Sequence, residues 1–158
     1  MIVLQKRFFI KMIVDNDKGV MARIATLLAR KGYNIKSVCV GSHLEDGEAS
    51  IILIIMGDPL EIEVAKNMLG KLVNVISIEL HEEGAVVERE DILLKVKKIP
   101  GLAKKIENFG AKIALERDGF AIIELLDSPK RVEELIEFAK KELEVADISR
   151  SGANAMAI

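Results

Sequence analysis

The sequence predicts an α+β protein made of two consecutive β-α-β-β-α-β units, each a four-stranded antiparallel sheet with two helices on one face. The order of elements occurs twice in 158 residues, 50% of which are apolar. The most apolar strands are the first and third of each half, which this topology places at the centre of the sheet. We place the first unit at 1–80, a linker at 81–88 and the second unit at 89–158. One irregular α+β domain is the alternative.

The first half begins with an apolar strand at 8–14. Apolar residues then recur at three- and four-residue spacing, which predicts an amphipathic helix ended by Gly32: Val20, Met21, Ile24, Leu27 and Leu28. Strands at 35–40 and 49–56 flank a turn at 44–47. Asp58 and Pro59 fit the cap and first position of a second helix, and the last strand follows at 73–80.

The second half repeats this order in a shorter form. Strands are predicted at 92–96, 112–116, 120–126 and 143–148, with a hairpin turn at 117–119. Two helices carry apolar stripes, the first of Leu102, Ile106 and Phe109 and the second of Val132, Leu135, Ile136 and Ala139. The strand at 49–56 is apolar on both faces from residue 51 onward. We therefore expect its second face to be covered by the sister unit or another subunit.

Two loops of the first half contain the candidate ligand-binding residues. Asn16 and Gly19 precede the first helix, and a helix N-terminus has unpaired N–H groups that attract anions. Gly19 has no Cβ, so a carboxylate can approach the backbone closely. Asn34 follows the helix and adds a second neutral amide. Asp15 and Asp17 would attract an ammonium group unless they are only solvated, so these loops predict a site for a small zwitterion.

The second half shares the scaffold but lacks the amide pair. Lys98 and Lys112 stand where Asn16 and Asn34 stand in the first half. Pro100 also removes one N–H group from the loop before the helix. We therefore expect only the first unit to bind the ligand.

Composition excludes several other functions. Net charge is −2, which disfavours a nucleic-acid surface. Cys39 is the single cysteine and is interpreted as a packed side chain in a reducing, cytoplasmic compartment. His43 and His81 do not form a metal-binding spacing with Cys39, and no nucleophile–base cluster or membrane-spanning run is present. Arg150 is interpreted either as part of a frayed tail or as a contact to a partner.

Several segments together resemble the regulatory (small) subunit of acetolactate synthase, or acetohydroxyacid synthase, a family with an amino-acid-sensing ACT domain. The segments are Asn16-Asp17-Lys18-Gly19-Val20-Met21, Arg23, Ala29-Arg30-Lys31-Gly32-Tyr33-Asn34-Ile35, Val87-Glu88-Arg89-Glu90 and Arg150-Ser151-Gly152. The resemblance implies two ferredoxin-like domains, the first an ACT domain, and no active site on this chain. This sequence departs from the family in the short stretch at 153–158 that follows the last segment.

The resemblance also implies a function and a site. A homodimer formed through the ACT domain would bind valine, isoleucine or leucine between its two copies. Asn16 and the backbone of Gly19 and Val20 would hold the effector carboxylate, and Asn34 and Ile35 would approach from the other protomer. The partner would be the catalytic large subunit, carrying thiamine diphosphate, Mg²⁺ and FAD, which this chain would activate and subject to feedback inhibition. A stand-alone amino-acid-binding regulator of another enzyme or of a transcription factor is the alternative.

Overall fold

A computed structural model describes residues 5–158 and divides the chain into two compact units. The first unit extends to Val87 and also includes Asn154–Ile158, and the second is Glu88–Ala153. The chain therefore passes from the first unit to the second and returns for its last five residues.

The first unit has the predicted β-α-β-β-α-β order. Its elements are β1 (Lys6–Asp15), α1 (Val20–Arg30), β2 (Ile35–Ser42), β3 (Glu48–Gly57), α2 (Pro59–Gly70) and β4 (Val75–Glu82). The sheet order is β2-β3-β1-β4, so the first and third strands are central, as expected from their apolar sequences. Both helices lie over one face of the sheet. Their buried residues, such as Ile24 of α1 and Ile62 of α2, pack against alternate residues of β1 and β3, such as Ile10 and Leu53. The Asp58 side chain caps α2 by accepting from the Leu60 amide at 2.9 Å.

The second unit repeats this topology, which confirms the predicted fold class. Its elements are β5 (Val87–Lys97), α3 (Leu102–Ile106), a 3₁₀ turn (Glu107–Phe109), β6 (Lys112–Arg117), β7 (Phe120–Asp127), α4 (Pro129–Glu142) and β8 (Val145–Met156). The sheet order is β6-β7-β5-β8. Its core is formed by the predicted stripes of α3 and α4 against β5 and β7, including Leu94, Ile106, Ile123 and Leu135.

Several strand boundaries differ from the sequence prediction. Strands β4 and β5 extend into the predicted linker, so that only residues 83–86 lie between them. Strand β8 continues to Met156 rather than ending at Ile148. The prediction stopped there because polar residues follow, but their side chains find partners on β5, as described below.

The helix-free face of the first sheet is covered within the chain. Phe9, Ile52 and Ile54 lie on that face and are only 1%, 5% and 1% exposed. Asn154 and Met156 line a cavity of ≈ 510 Å³ on this face, together with residues that include Lys11, Cys39 and Ile52. The last residues of the chain therefore pack here. The equivalent face of the second sheet leaves its large apolar residues more exposed, among them Leu93, Leu115, Phe120 and Leu126.

Candidate ligand-binding site

The loop between β1 and α1 is fixed by backbone hydrogen bonds to two other loops. The Asp15 amide donates to the Asn74 carbonyl at 2.9 Å, and the Asn16 amide donates to the Gly47 carbonyl at 2.7 Å. Asn74 precedes β4 and Gly47 precedes β3, so the loop is held from both sides. These bonds leave the Asn16 side chain exposed, and it has no hydrogen-bond partner among residues 5–158.

Gly19 forms the cap of α1 through its backbone alone. It has φ 85° and ψ 0°, the left-handed conformation that glycine adopts without steric cost. A Cβ built there would meet no atom within 4 Å. The glycine is therefore required by backbone conformation and not by crowding within the chain, and the space in front of it is open.

The N-terminus of α1 retains unpaired donors. No side chain in the described part of the chain caps the helix, and the amides of Gly19, Met21 and Ala22 have no acceptor there. The Val20 amide makes only a long contact of 3.5 Å with the Asp17 carbonyl. The Val20 side chain is buried in the core, so this residue offers only its backbone to a ligand.

Asn34 and Ile35 lie at the other end of α1. Gly32 ends the helix with φ 78°, and the Tyr33 hydroxyl donates to the Glu61 carbonyl at 2.6 Å, which ties this loop to α2. The pKa of Tyr33 is raised, chiefly by burial and secondly by the nearby Glu61 carboxylate. Asn34 is exposed and lines an open cavity of ≈ 420 Å³ with residues that include Lys31, Lys36 and Glu61.

One chain does not bring the two predicted halves of the site together. Helix α1 has 11 residues and separates the two loops. At 1.5 Å per residue its length is roughly 16 Å. Asp15, Asn16, Gly19 and Val20 therefore lie at one end of the unit, while Asn34 and Ile35 lie at the other.

Sequence reasoning missed a buried residue beside the first loop. Asn74 is 7% exposed, and its side chain accepts from Arg23 Nη1 and donates to the Asp17 carboxylate at 3.3 Å. The available signal was its position as one polar residue inside the apolar run at 72–76. Its partners are 51 and 57 residues away, so their identity was not readable from local sequence.

The corresponding loop of the second unit is arranged differently. Gly101 also caps a helix in the left-handed conformation, with φ 72°, but that helix is only five residues long. The Lys98 ammonium lies 2.7 Å from the Glu116 carboxylate, so the position equivalent to Asn16 is occupied by an ion pair.

The Glu90 and Arg150 motifs meet inside the second unit. Arg150 forms a two-point contact with the buried Glu90 carboxylate, at 2.7 and 3.0 Å, and also pairs with Glu133 at 2.8 Å. Hydrogen bonding to Glu90 raises the pKa of the Arg150 guanidinium further. Ser151 Oγ accepts from the Asp91 amide at 3.0 Å. The interpretation of Arg150 as part of a frayed tail was therefore wrong, because these bonds hold it within β8, while a contact of Arg150 with a partner stays a prediction.

The two histidines each contact a carboxylate. His43 Nδ1 lies 3.2 Å from Glu48, and His81 Nε2 lies 3.0 Å from Glu79, whose pKa is lowered chiefly by that hydrogen bond. Within residues 5–158 no group of three or more His, Cys, Asp or Glu side chains is placed to hold a metal ion. In the same residues no helix is both long enough and apolar enough to cross a bilayer.

The topology of the first unit and its uncapped, glycine-initiated α1 fit an ACT domain, and the family match places the first unit in that class. The family described as "AHAS small subunit-like ACT domain" matches residues 10–77. A probable acetolactate synthase small subunit from Archaeoglobus fulgidus is 32% identical over 93% of this chain and 94% of its own length. The crystal structure of the acetolactate synthase small subunit from Thermotoga maritima is 31% identical, with a TM-score of 0.88 over 97% of this chain and 98% of that one.

The chain belongs to the acetolactate synthase small-subunit family and is a small, non-catalytic subunit. It is also 31% identical to acetolactate synthase small subunit 2, chloroplastic, from Arabidopsis thaliana, of which it spans 32%, about a third. The resemblance stated from the sequence motifs is thereby confirmed.

Proposed function

We propose that this chain is a homodimeric sensor of branched-chain amino acids that activates the catalytic large subunit of acetolactate synthase and makes it sensitive to feedback. Valine is the expected effector, with isoleucine or leucine as the related alternatives. The observation that carries the proposal is the position of β2. This strand lies at the sheet edge, and the two candidate loops lie at opposite ends of the unit beside it.

Strand polarity explains how two copies would complete the site. Strands β1 and β2 both run antiparallel to β3, so they are parallel to each other. The start of β2 therefore lies at the opposite end of the sheet from the end of β1. An edge strand has unpaired backbone groups that favour pairing with another strand. Antiparallel pairing of β2 with its copy would bring Asn34 of one protomer to Asn16 and Gly19 of the other.

The groups gathered at such a seam suit an amino acid. The free amides at the start of α1 would receive the carboxylate, with Lys31 and Lys36 of the other copy adding positive charge. Asp15 is exposed and would attract the ammonium. Ile35 and the exposed part of Met21 supply apolar surface for a branched side chain.

The expected affinity follows from these contacts. Full burial of a valine side chain contributes roughly 1.5–3 kcal/mol, and a charge at a helix end adds about 0.3–2 kcal/mol. With hydrogen bonds, the total lies between about −4 and −8 kcal/mol, which corresponds to millimolar to micromolar dissociation constants. This range suits a metabolite sensor.

Intersubunit complementation tests the site most sharply. Asn16→Ala and Asn34→Ala should each weaken valine binding in isothermal titration, whereas Lys98→Ala and Lys112→Ala, the matched positions of the second unit, should not. In a mixed dimer of the two Asn variants, one of the two sites is intact. Equal mixing with exchange should therefore restore about a quarter of the sites. Full valine affinity in both single variants, or no recovery on mixing, would contradict the shared site.

The regulatory role needs the catalytic partner. Acetolactate formation by the cognate large subunit should rise when this chain is added and fall again across a valine series. Asn16→Ala should retain the activation and lose the sensitivity to valine, because the substitution alters the effector site alone. Valine sensitivity of the large subunit without this chain would contradict the assignment.

A further inference from the structure

Asn74 is a buried residue that contacts the loop between β1 and α1. It lies in the short connection between α2 and β4 and is, with Glu90, one of two buried polar side chains among the described residues. A buried amide is unfavourable unless its donors and acceptor are satisfied. Here the partners are Arg23 and Asp17, which flank the α1 cap on both sides.

The chemistry of the two partners fixes the orientation of the Asn74 amide. A guanidinium only donates, so the oxygen must face Arg23; a carboxylate only accepts, so the NH₂ must face Asp17. The backbone carbonyl of Asn74 also accepts from the Asp15 amide at 2.9 Å. One residue thus binds both chain segments that enclose residues 16–19.

The contact to Asp17 has a consequence for the free donors nearby. An aspartate side chain readily accepts from the backbone amide two or three residues further on, as in an Asx turn. For Asp17 those amides belong to Gly19 and Val20, which are unpaired and weakly paired respectively within residues 5–158. The Asp17 carboxylate accepts from Asn74 through Oδ2 at 3.3 Å and bonds to neither amide within residues 5–158.

We propose that Asn74 is a positioning residue of the effector site, which holds the Asp17 carboxylate away from the Gly19 and Val20 amides and keeps both donors available to the ligand. The inference rests on the proposed function, because it concerns the same site. Asn74 does not touch the effector. It prevents the chain's own carboxylate from occupying the place of the effector carboxylate.

A double-mutant cycle with valine as the probe separates this role from a general structural one. Asn74→Ala should weaken valine binding to the full-length protein about fivefold, the effect of a competing contact as strong as a helix cap. In an Asp17→Ala background the same substitution should change affinity by less than about twofold, since no competing carboxylate remains. An equal loss in both backgrounds would overturn the proposal. Asn67→Ala, an exposed asparagine on α2, is the control.

The unliganded protein provides a second readout that does not depend on valine. Asn74→Ala should slow solvent exchange of the Gly19 and Val20 amides about fivefold by NMR, and Asp17→Ala should abolish that slowing. If Asn74→Ala does not fold, Asn74→Ser replaces it, since the hydroxyl is too short to reach both partners. Unchanged exchange would overturn the role of Asn74. Absence of valine binding together with the expected exchange pattern would instead overturn the proposed effector and leave the role of Asn74 standing.

Discussion

Alanine substitution of Gly19 separates backbone strain from ligand access. An L-residue in the left-handed conformation is less stable by roughly 1–2 kcal/mol, and the stiffer unfolded chain offsets about 0.4–1 kcal/mol of this. The net destabilisation expected for Gly19→Ala is therefore about 0.5–1 kcal/mol. Gly101→Ala is a matched control, because Gly101 also precedes a helix, has φ 72° and would meet no atom within 4 Å of an added Cβ.

The two variants should differ only in ligand binding. Both should lose similar unfolding free energy, measured by hydrogen exchange of core peptides in the unit that carries the substitution. Gly19→Ala places a methyl group in front of the unpaired α1 amides and should weaken valine binding at least about tenfold, or 1.4 kcal/mol. Gly101→Ala should leave the titration unchanged. Equal effects of both variants on valine affinity, or none from either, would refute the placement of the ligand at the start of α1.

Two further predictions concern stability. Arg150→Ala leaves the buried Glu90 carboxylate without its two-point partner. We expect the free energy of unfolding, measured in urea, to fall by about 2 kcal/mol. This is below the roughly 3–5 kcal/mol of a fully buried pair, because the Arg150 side chain is 40% exposed. Glu133→Ala removes the exposed partner of Arg150 and should change the free energy of unfolding by less than about 0.5 kcal/mol. A loss as large as that of Arg150→Ala would contradict this account. Tyr33→Phe removes the hydrogen bond to the Glu61 carbonyl and should lower the free energy of unfolding by about 0.5–1.5 kcal/mol. Because folding raises the pKa of Tyr33, its contribution is complete below pH 10.0 and is lost as pH rises through the folded pKa, so the wild-type protein but not the Phe variant should weaken there.

The fold was predictable because the apolar pattern is consistent with the topology in most elements. The central strands β1 and β3 are the most apolar, and α1 and α4 carry clear apolar stripes, so local and tertiary preferences agree there. Helix α2 is the exception, because Ile62, Ala65 and Leu69 are buried whereas the apolar Leu60 and Val64 are exposed. The end of β8 was not predictable in this way. Arg150 interrupts the apolar pattern, and its partner Glu90 is 60 residues away, so a pattern read along one strand does not show that the charge is compensated.

The candidate site shows the same limit. The role of Gly19 as the start of α1 followed from local sequence, because a left-handed cap needs glycine whatever surrounds it. The role of Asn74 depends on side chains brought together by the antiparallel pairing of β1 with β4. Local propensity is silent on such contacts, and a polar residue within an apolar run is the one indication that the sequence gives.

A ligand shared by two protomers couples binding to dimer formation, and this sets what feedback requires. With free ligand at 100 times the dissociation constant, each site would stabilise the dimer over free protomers by about 2.7 kcal/mol. Stabilising the dimer does not by itself inhibit an enzyme, since the ligand must also favour one of two states of the complex. The chain crosses twice between its units, after Val87 and after Ala153. A rearrangement of the first unit on ligand binding would therefore have two covalent routes to the second unit, through β5 and through the end of β8.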